Sequence, residues 1–177
     1  MLKILGIIAA LIALAIIGVL IAASTQPDTF RLERSIAIKA PPEKIQPLIT
    51  DFKAWMAWSP WEKKDPAMKR TYGGPERGKG ATYGWEGNKD VGSGRMEILV
   101  AEAQKIVIKL MFLEPFESTN TAEFTLTPQG DSTTVKWAMF GPSNYVQRVM
   151  CVFFSMDKLV GPDFDAGLAA LKSVAEK

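Results

Sequence analysis

The sequence holds no histidine and a single cysteine, Cys151. Those two scarcities exclude a disulfide framework, imidazole or thiolate metal clusters, and every catalytic triad built on histidine. A large excess of either charge is missing as well: the formal balance is +2, so no basic field points to nucleic acid. No internal repeat or low-complexity tract is visible once the first segment is past. What the chain does have is a hydrophobic content of 47%, much of it gathered at the amino-terminal end.

From Ile4 to Ala23 only Ile, Leu, Val, Ala and Gly occur, and about 20 such residues are what a helix needs to cross a bilayer core. A cleaved signal peptide is the competing reading, but its apolar region spans only about 7–15 residues and ends at a small-x-small site. Ile21-Ala22-Ala23 is a poor one. The expectation is therefore an uncleaved single-pass anchor over residues 1–24, a polar linker over 25–29 and one domain over 30–177. Lys3 flanks the run on one side, and Arg31, Arg34 and Lys39 follow on the other. With the short flank kept in the cytoplasm, the domain is expected outside an inner (cytoplasmic) membrane, on the periplasmic side.

After the linker, Phe30 to Lys39 alternates as a first strand, with Leu32, Ile36 and Ile38 near one face. Pro42 can open a helix through Ile45, Leu48 and Ile49, and Asp51 to Trp58 suggests a second short helical piece stopped by Ser59-Pro60. Trp55, Trp58 and Trp61 follow at three-residue spacing. Two readings fit them: a packing plug at one end of a sheet, or an aromatic lip at a pocket mouth or membrane surface. Gly73 to Lys79 satisfies G-x-x-x-x-G-K, but Gly80 stands where a phosphate loop needs Ser or Thr, and a strand follows instead of a helix. This stretch is expected to be a hairpin turn. Gly92-Ser93-Gly94 begins a strand and is expected to permit a bulge or sharp curvature.

Strand signals then come in series. Met96, Ile98 and Val100 share a face, as do Ile106, Ile108, Leu110 and Phe112, then Ala122, Phe124 and Leu126, then Val135, Trp137 and Met139. Their joints are short, which implies an antiparallel meander with one apolar and one wet face. Pro142 to Leu159 lacks alternation and is apolar nearly all round, which fits a buried core helix or a pocket lid, that is, a ligand-facing or bilayer-facing cover. Val160 to Glu176 reads as the last helix, opened by Gly161-Pro162 and carrying Phe164, Leu168, Leu171 and Ala175 on one stripe.

This order, and several local stretches, resemble the helix-grip fold of the SRPBCC superfamily, in its bacterial polyketide cyclase/dehydrase and lipid-transport-like branch. The stretches are Ile38-Lys39-Ala40-Pro41-Pro42-Glu43-Lys44-Ile45, Asp51 to Trp61, Gly78-Lys79-Gly80 with Trp85, Gly92-Ser93-Gly94, and Asp163-Phe164 with Gly167-Leu168 and Leu171-Lys172. The resemblance implies an α+β fold, a curved antiparallel sheet around a long carboxy-terminal helix. It also implies an apolar cavity between the two, used by many relatives for lipids, sterols or polyketides. Residues expected to face that cavity are Trp85, Met96, Ile98, Ile108, Leu110, Phe112, Phe124, Trp137, Met139, Phe164 and Leu168, with Trp55 and Trp61 at its lip.

Catalysis without histidine would have to come from carboxylates, tyrosines or lysines. Glu86, Glu97 and Glu123 lie in or beside strands, but alternation puts Glu97 and Glu123 on the wet face, and no convergent set emerges. The expected activity is membrane-anchored binding, with or without transfer, of a hydrophobic lipid-like molecule, with no cofactor, metal or nucleic acid. The alternatives are a non-catalytic protein-interaction module with an unidentified partner, and a cyclase or dehydratase working through carboxylates.

Overall fold

Period-two alternation decides most of the domain. In the computed structural model, which describes residues 2–177, seven strands form one antiparallel sheet in the order β1-β7-β6-β5-β4-β3-β2. They are β1 (Thr29–Ile38), β2 (Lys69–Gly73), β3 (Thr82–Glu86), β4 (Ser93–Ala101), β5 (Lys105–Glu114), β6 (Ser118–Gln129) and β7 (Ser132–Pro142). In β6 and β7 every second side chain is buried over most of the strand, which is the signature of a sheet covered on one face. The sheet bends where β4 slips register against β5, between Ser93 and Gly94 and again between Ile98 and Val100. A side chain at Gly94 would run into the Trp85 ring, so glycine there lets that ring lie flat against the strand. Residues 74–81 close the β2–β3 hairpin, with Gly74, Gly78 and Gly80 at positive φ.

The helices are α1 (Leu2–Ser24), α2 (Pro42–Thr50), α3 (Pro60–Lys64), α4 (Tyr145–Phe153) and α5 (Met156–Ala175). Pro42 opens α2 at a position where its missing N–H costs nothing. Asp51 then accepts the Lys53 N–H at 2.8 Å and starts a 3₁₀ turn over Phe52–Ala57. Here the sequence suggested a second helical piece; Ser59-Pro60 ends it and the same proline opens α3.

Helix α5 begins a turn and a half earlier than its Gly-Pro pair implies. Ser155 caps it by accepting the Lys158 N–H at 3.3 Å, and Pro162 falls inside the helix, where it removes one backbone hydrogen bond. Arg34 of β1 spans the weakened turn. Its guanidinium lies against Gly161 and pairs with Asp157 at 2.8 Å and Asp165 at 3.3 Å, one on either side of the proline. These partners raise the Arg34 pKa, the Asp157 hydrogen bond most. At its far end α5 is tied to β1 by Lys172 Nζ donating to the Ala37 carbonyl at 2.9 Å, and by Glu176 accepting the Lys39 N–H at 2.7 Å.

The segment from Pro142 to Leu159 is not the buried core helix that was one expectation for it. Helix α4 is there, with a reciprocal cap between Asn144 and Gln147, but none of its residues is buried. The apolar character that suggested a core element is presented outward: Val146, Met150, Phe153 and Phe154 are all exposed. The first helix, α1, is likewise exposed along nearly its whole length, and Lys3–Ser24 is long and apolar enough to cross a membrane.

Candidate functional site: a cavity between sheet and helix

The core between the sheet and α5 is dense at one end. There Ile98, Ile106, Ile108, Phe124 and Leu126 of the sheet meet Ile45 and Ile49 of α2 and Leu168 and Leu171 of α5, each no more than 2% exposed. Towards the other end the layers separate and leave a cavity of about 420 Å³, inside the range of roughly 300–1,000 Å³ typical of small-molecule sites. Its sheet side is Tyr83, Trp85, Met96, Leu110, Phe112, Ala122, Trp137 and Met139; its roof is Trp55, Trp61, Met156, Val160 and Phe164. A wider depression of about 740 Å³ lies over β2, β3 and β4, bordered by Thr71, Arg95, Glu97 and several glycines. Its lining is the more polar of the two, so the space between the sheet and α5 is the stronger candidate for an apolar ligand.

Tryptophan stacking shapes the roof. Trp55 and Trp58 are buried and give their indole N–H groups to the Ile49 and Leu48 carbonyls, each at 2.9 Å. Trp61 is half-buried and meets Trp137 edge-on at 5.8 Å, while Phe164 stacks on Trp137 at 4.1 Å. Gly167 lets this happen, because a side chain there would meet the Trp137 ring. The tryptophan cluster is thus a plug, and two of its members also border the cavity. A membrane-facing belt is not what these rings form, since their indoles are turned inward to backbone carbonyls and to one another.

Of the residues expected at the site, nine border the cavity: Trp55, Trp61, Trp85, Met96, Leu110, Phe112, Trp137, Met139 and Phe164. The other four, Ile98, Ile108, Phe124 and Leu168, lie in the dense end, and the cavity does not reach them. They share strands or a helix with lining residues, but they sit where α2 and the second half of α5 close down on the sheet. Glu62, Tyr83, Asn120 and Val160, which the alternation did not single out as site residues, also line the space, as does Met156 from the segment whose alternative reading was a pocket lid. Asn120 was findable, being two residues before Ala122 on the same inward face of β6.

The polar members fall into two kinds. Glu62 is 8% exposed and fully engaged: Arg70 donates to Oε2 from Nε at 2.8 Å and from the terminal nitrogen at 2.6 Å, and the Tyr83 hydroxyl donates to Oε1 at 3.0 Å. Burial, then the nearby Glu62 charge and that hydrogen bond, push the Tyr83 phenol well above its ordinary range, so it stays protonated. The Glu62 hydrogen bond raises the Arg70 pKa as well. With both carboxylate oxygens occupied, this cluster reads as a paired wall of the cavity and not as a free base. Glu86, Glu97 and Glu123 stand apart from it. Glu86 pairs with Lys69 at 3.2 Å and Glu123 with Lys105 at 3.1 Å, both away from the cavity, and Glu97 borders the outer depression.

Asn120 and Trp137 are different. The Asn120 amide nitrogen donates to Ser118 Oγ at 3.2 Å, but its Oδ1 is buried with no hydrogen-bond partner, and Trp137 Nε1 is buried without one too. Turning the amide over exchanges which of its atoms is stranded and does not remove the deficit. Trp137 stands opposite Phe124, and Asn120 lies four residues along β6 from that point, so their backbones are roughly 13 Å apart. The two deficits therefore arise from well-separated points along the sheet. The rim itself carries Lys64 and Asp163, paired at 2.6 Å across α3 and α5, with Asp90, Glu114, Pro115, Phe116 and Leu159 around it.

A family profile described as polyketide cyclase / dehydrase and lipid transport matches residues 29–176. Solved structures of similar fold include protein CV1439 from Chromobacterium violaceum, at 15% identity and a TM-score of 0.57, over 86% of this chain and 99% of that one. A solution structure from Thermobifida fusca aligns at 20% identity and 0.62, over 82% and 92%. Protein Ms6760 from Mycobacterium smegmatis aligns at 17% and 0.57, over 84% and 92%. At these identities the likeness concerns the fold. No curated protein matches.

Proposed function

The chain belongs to the polyketide cyclase / dehydrase and lipid transport family, and from that premise we propose that it binds an elongated, mainly apolar small molecule between the sheet and α5 while held at a membrane by α1. The observation that carries the reading is the pair of stranded polar atoms in a mainly apolar cavity. A buried group without a partner costs about 1–3 kcal/mol, and a fold that keeps two of them around an open space is complementary to something that satisfies them. A carbonyl or hydroxyl oxygen can accept from Trp137 Nε1, and a hydroxyl can donate to Asn120 Oδ1. The cargo is therefore a lipid-like molecule bearing hydrogen-bonding oxygens, not a bare hydrocarbon. Binding, with or without transfer, is the activity this mainly apolar lining supports.

Anchoring suits such a cargo, because poorly soluble molecules are concentrated in the bilayer. The same reading puts the domain on the periplasmic side, which protease accessibility in spheroplasts tests. For the binding itself, full-length protein extracted in mild detergent is weighed by native mass spectrometry, and whatever co-purifies is extracted and identified. A stoichiometric oxygen-bearing lipid or isoprenoid that disappears in Ala122→Phe, which fills the cavity, is the expected result. A clean apo mass that persists after incubation with membrane lipid extract overturns it in favour of a protein-interaction module.

A further inference from the structure

We propose that α4 lies in the membrane interface beside α1 and seats the rim of the cavity on the bilayer. This rests on reading α1 as a membrane span, and it adds a second surface that the family fold does not require. Along α1 the positions withdrawn from solvent are Val19, Ala22 and Ala23, spaced to form one stripe on its last two turns. The Tyr145 hydroxyl of α4 donates to the Leu20 carbonyl at 3.0 Å. The Tyr145 contact at Leu20 places α4 roughly 6 Å of helix rise before Ser24, and an interfacial helix sits about 5–10 Å into the headgroup and acyl boundary. If α1 crosses the bilayer, α4 cannot stay clear of it.

Helix α4 is built for that position. Val146, Met150 and Phe153 fall at i, i+4 and i+7, and they are 52%, 45% and 63% exposed. Phe154 continues the patch. Nothing among the described residues covers it, although the helix is well capped and packed on α1. Tyr145 and Arg148 supply the amphipathic flank, the guanidinium standing 5.4 Å from the tyrosine ring centre. The occupant that already must surround α1 also meets this stripe. On another side, Gln147 of α4 and Met156 and Leu159 at the start of α5 border the cavity. One short element thus has lipid on one side and the cavity rim on the other, so cargo can pass between bilayer and cavity without crossing open water.

The test uses full-length protein in phosphatidylcholine vesicles, in a Cys151→Ser background, with bimane attached after Val146→Cys, Met150→Cys or Phe153→Cys. All three positions are exposed, so the fold tolerates them. Leu11→Cys in mid-α1 and Asp131→Cys in the β6–β7 turn are the deep and aqueous references. Quenching by lipid carrying a nitroxide at carbon 5, with protection from iodide, is expected at the three α4 positions. Iodide quenching like that at Asp131, with Leu11 still lipid-quenched, overturns the seat and leaves the anchor standing. Shielding from both quenchers also overturns it, pointing to a second copy on the stripe. Aqueous behaviour at Leu11 too removes the anchor and the seat together. Cavity occupancy is read separately by mass, so an unseated helix and an empty cavity are distinguishable.

Discussion

The two ends of the concave face are written in the same alternating code and end up with opposite properties. At the dense end aliphatic side chains from the sheet, α2 and α5 exclude everything. At the open end aromatic and methionine side chains stand back around an empty volume that holds two unpaired polar atoms. The dense end supplies the stability, and the open end retains a deficit that packing could have removed.

Truncation separates the two ends most sharply. Phe124→Ala in the dense end should cost about 3–5 kcal/mol, because a large side chain with fully occupied surroundings leaves a cavity that cannot collapse. Leu110→Ala at the open end should cost nearer 2 kcal/mol, the low limit for such a change, since one side of the leucine already faces space. Denaturant unfolding of both variants measures the gap, and equal losses would dissolve the comparison. The leucine variant should also accept a heavier adduct.

Asn120→Leu sharpens it from the other direction. Replacing a stranded amide by a similar apolar shape should raise the stability of ligand-free protein by about 1 kcal/mol, while the retained cargo falls roughly tenfold, the equivalent of about 1.4 kcal/mol of lost hydrogen bonding. A variant that is stabilised and still retains its cargo would make the amide irrelevant to binding.

Tyr83 gives a pH signature of the same wall. Its folded pKa lies above the ordinary value of 10.0, so the folded protein holds that proton more tightly than the unfolded chain. The resulting stability is complete below pH 10 and is lost as pH rises beyond it. Tyr83→Phe should lose about 1 kcal/mol at neutral pH with the hydrogen bond to Glu62, and its stability should fall less steeply than that of the parent in alkaline denaturation curves. The smallest effect belongs to the outer face. Lys105→Ala removes a half-exposed pair with Glu123 and should change stability by less than about 0.5 kcal/mol; a larger loss would mean that the wet face takes part after all.

Legibility followed how local the cause was. The inward faces of β4 to β7 were plain, because each buried residue sits two positions from the next. Strand β2 was not singled out: it is an edge strand with little burial on either face, so it carries no alternation to read. The start of α5 was misplaced because Gly161-Pro162 is a strong local break, and only Arg34, more than a hundred residues earlier, holds the helix through it. Apolar residues in α4 looked like core since composition does not say whether the neighbour is protein or lipid.

Spacing along the chain was enough to mark the inward faces of β4 to β7 and the apolar helix that precedes the domain. The three-dimensional fold was needed to pair β1 with β7, to turn Trp55 and Trp58 inward as a plug, and to set where the inward face is packed and where it opens, because these depend on which elements meet and on how far α2 and α5 reach across the sheet. It also decided that Glu62 is paired while Asn120 and Trp137 are not, since hydrogen-bond partners are set by neighbours in space and leave no period in the sequence.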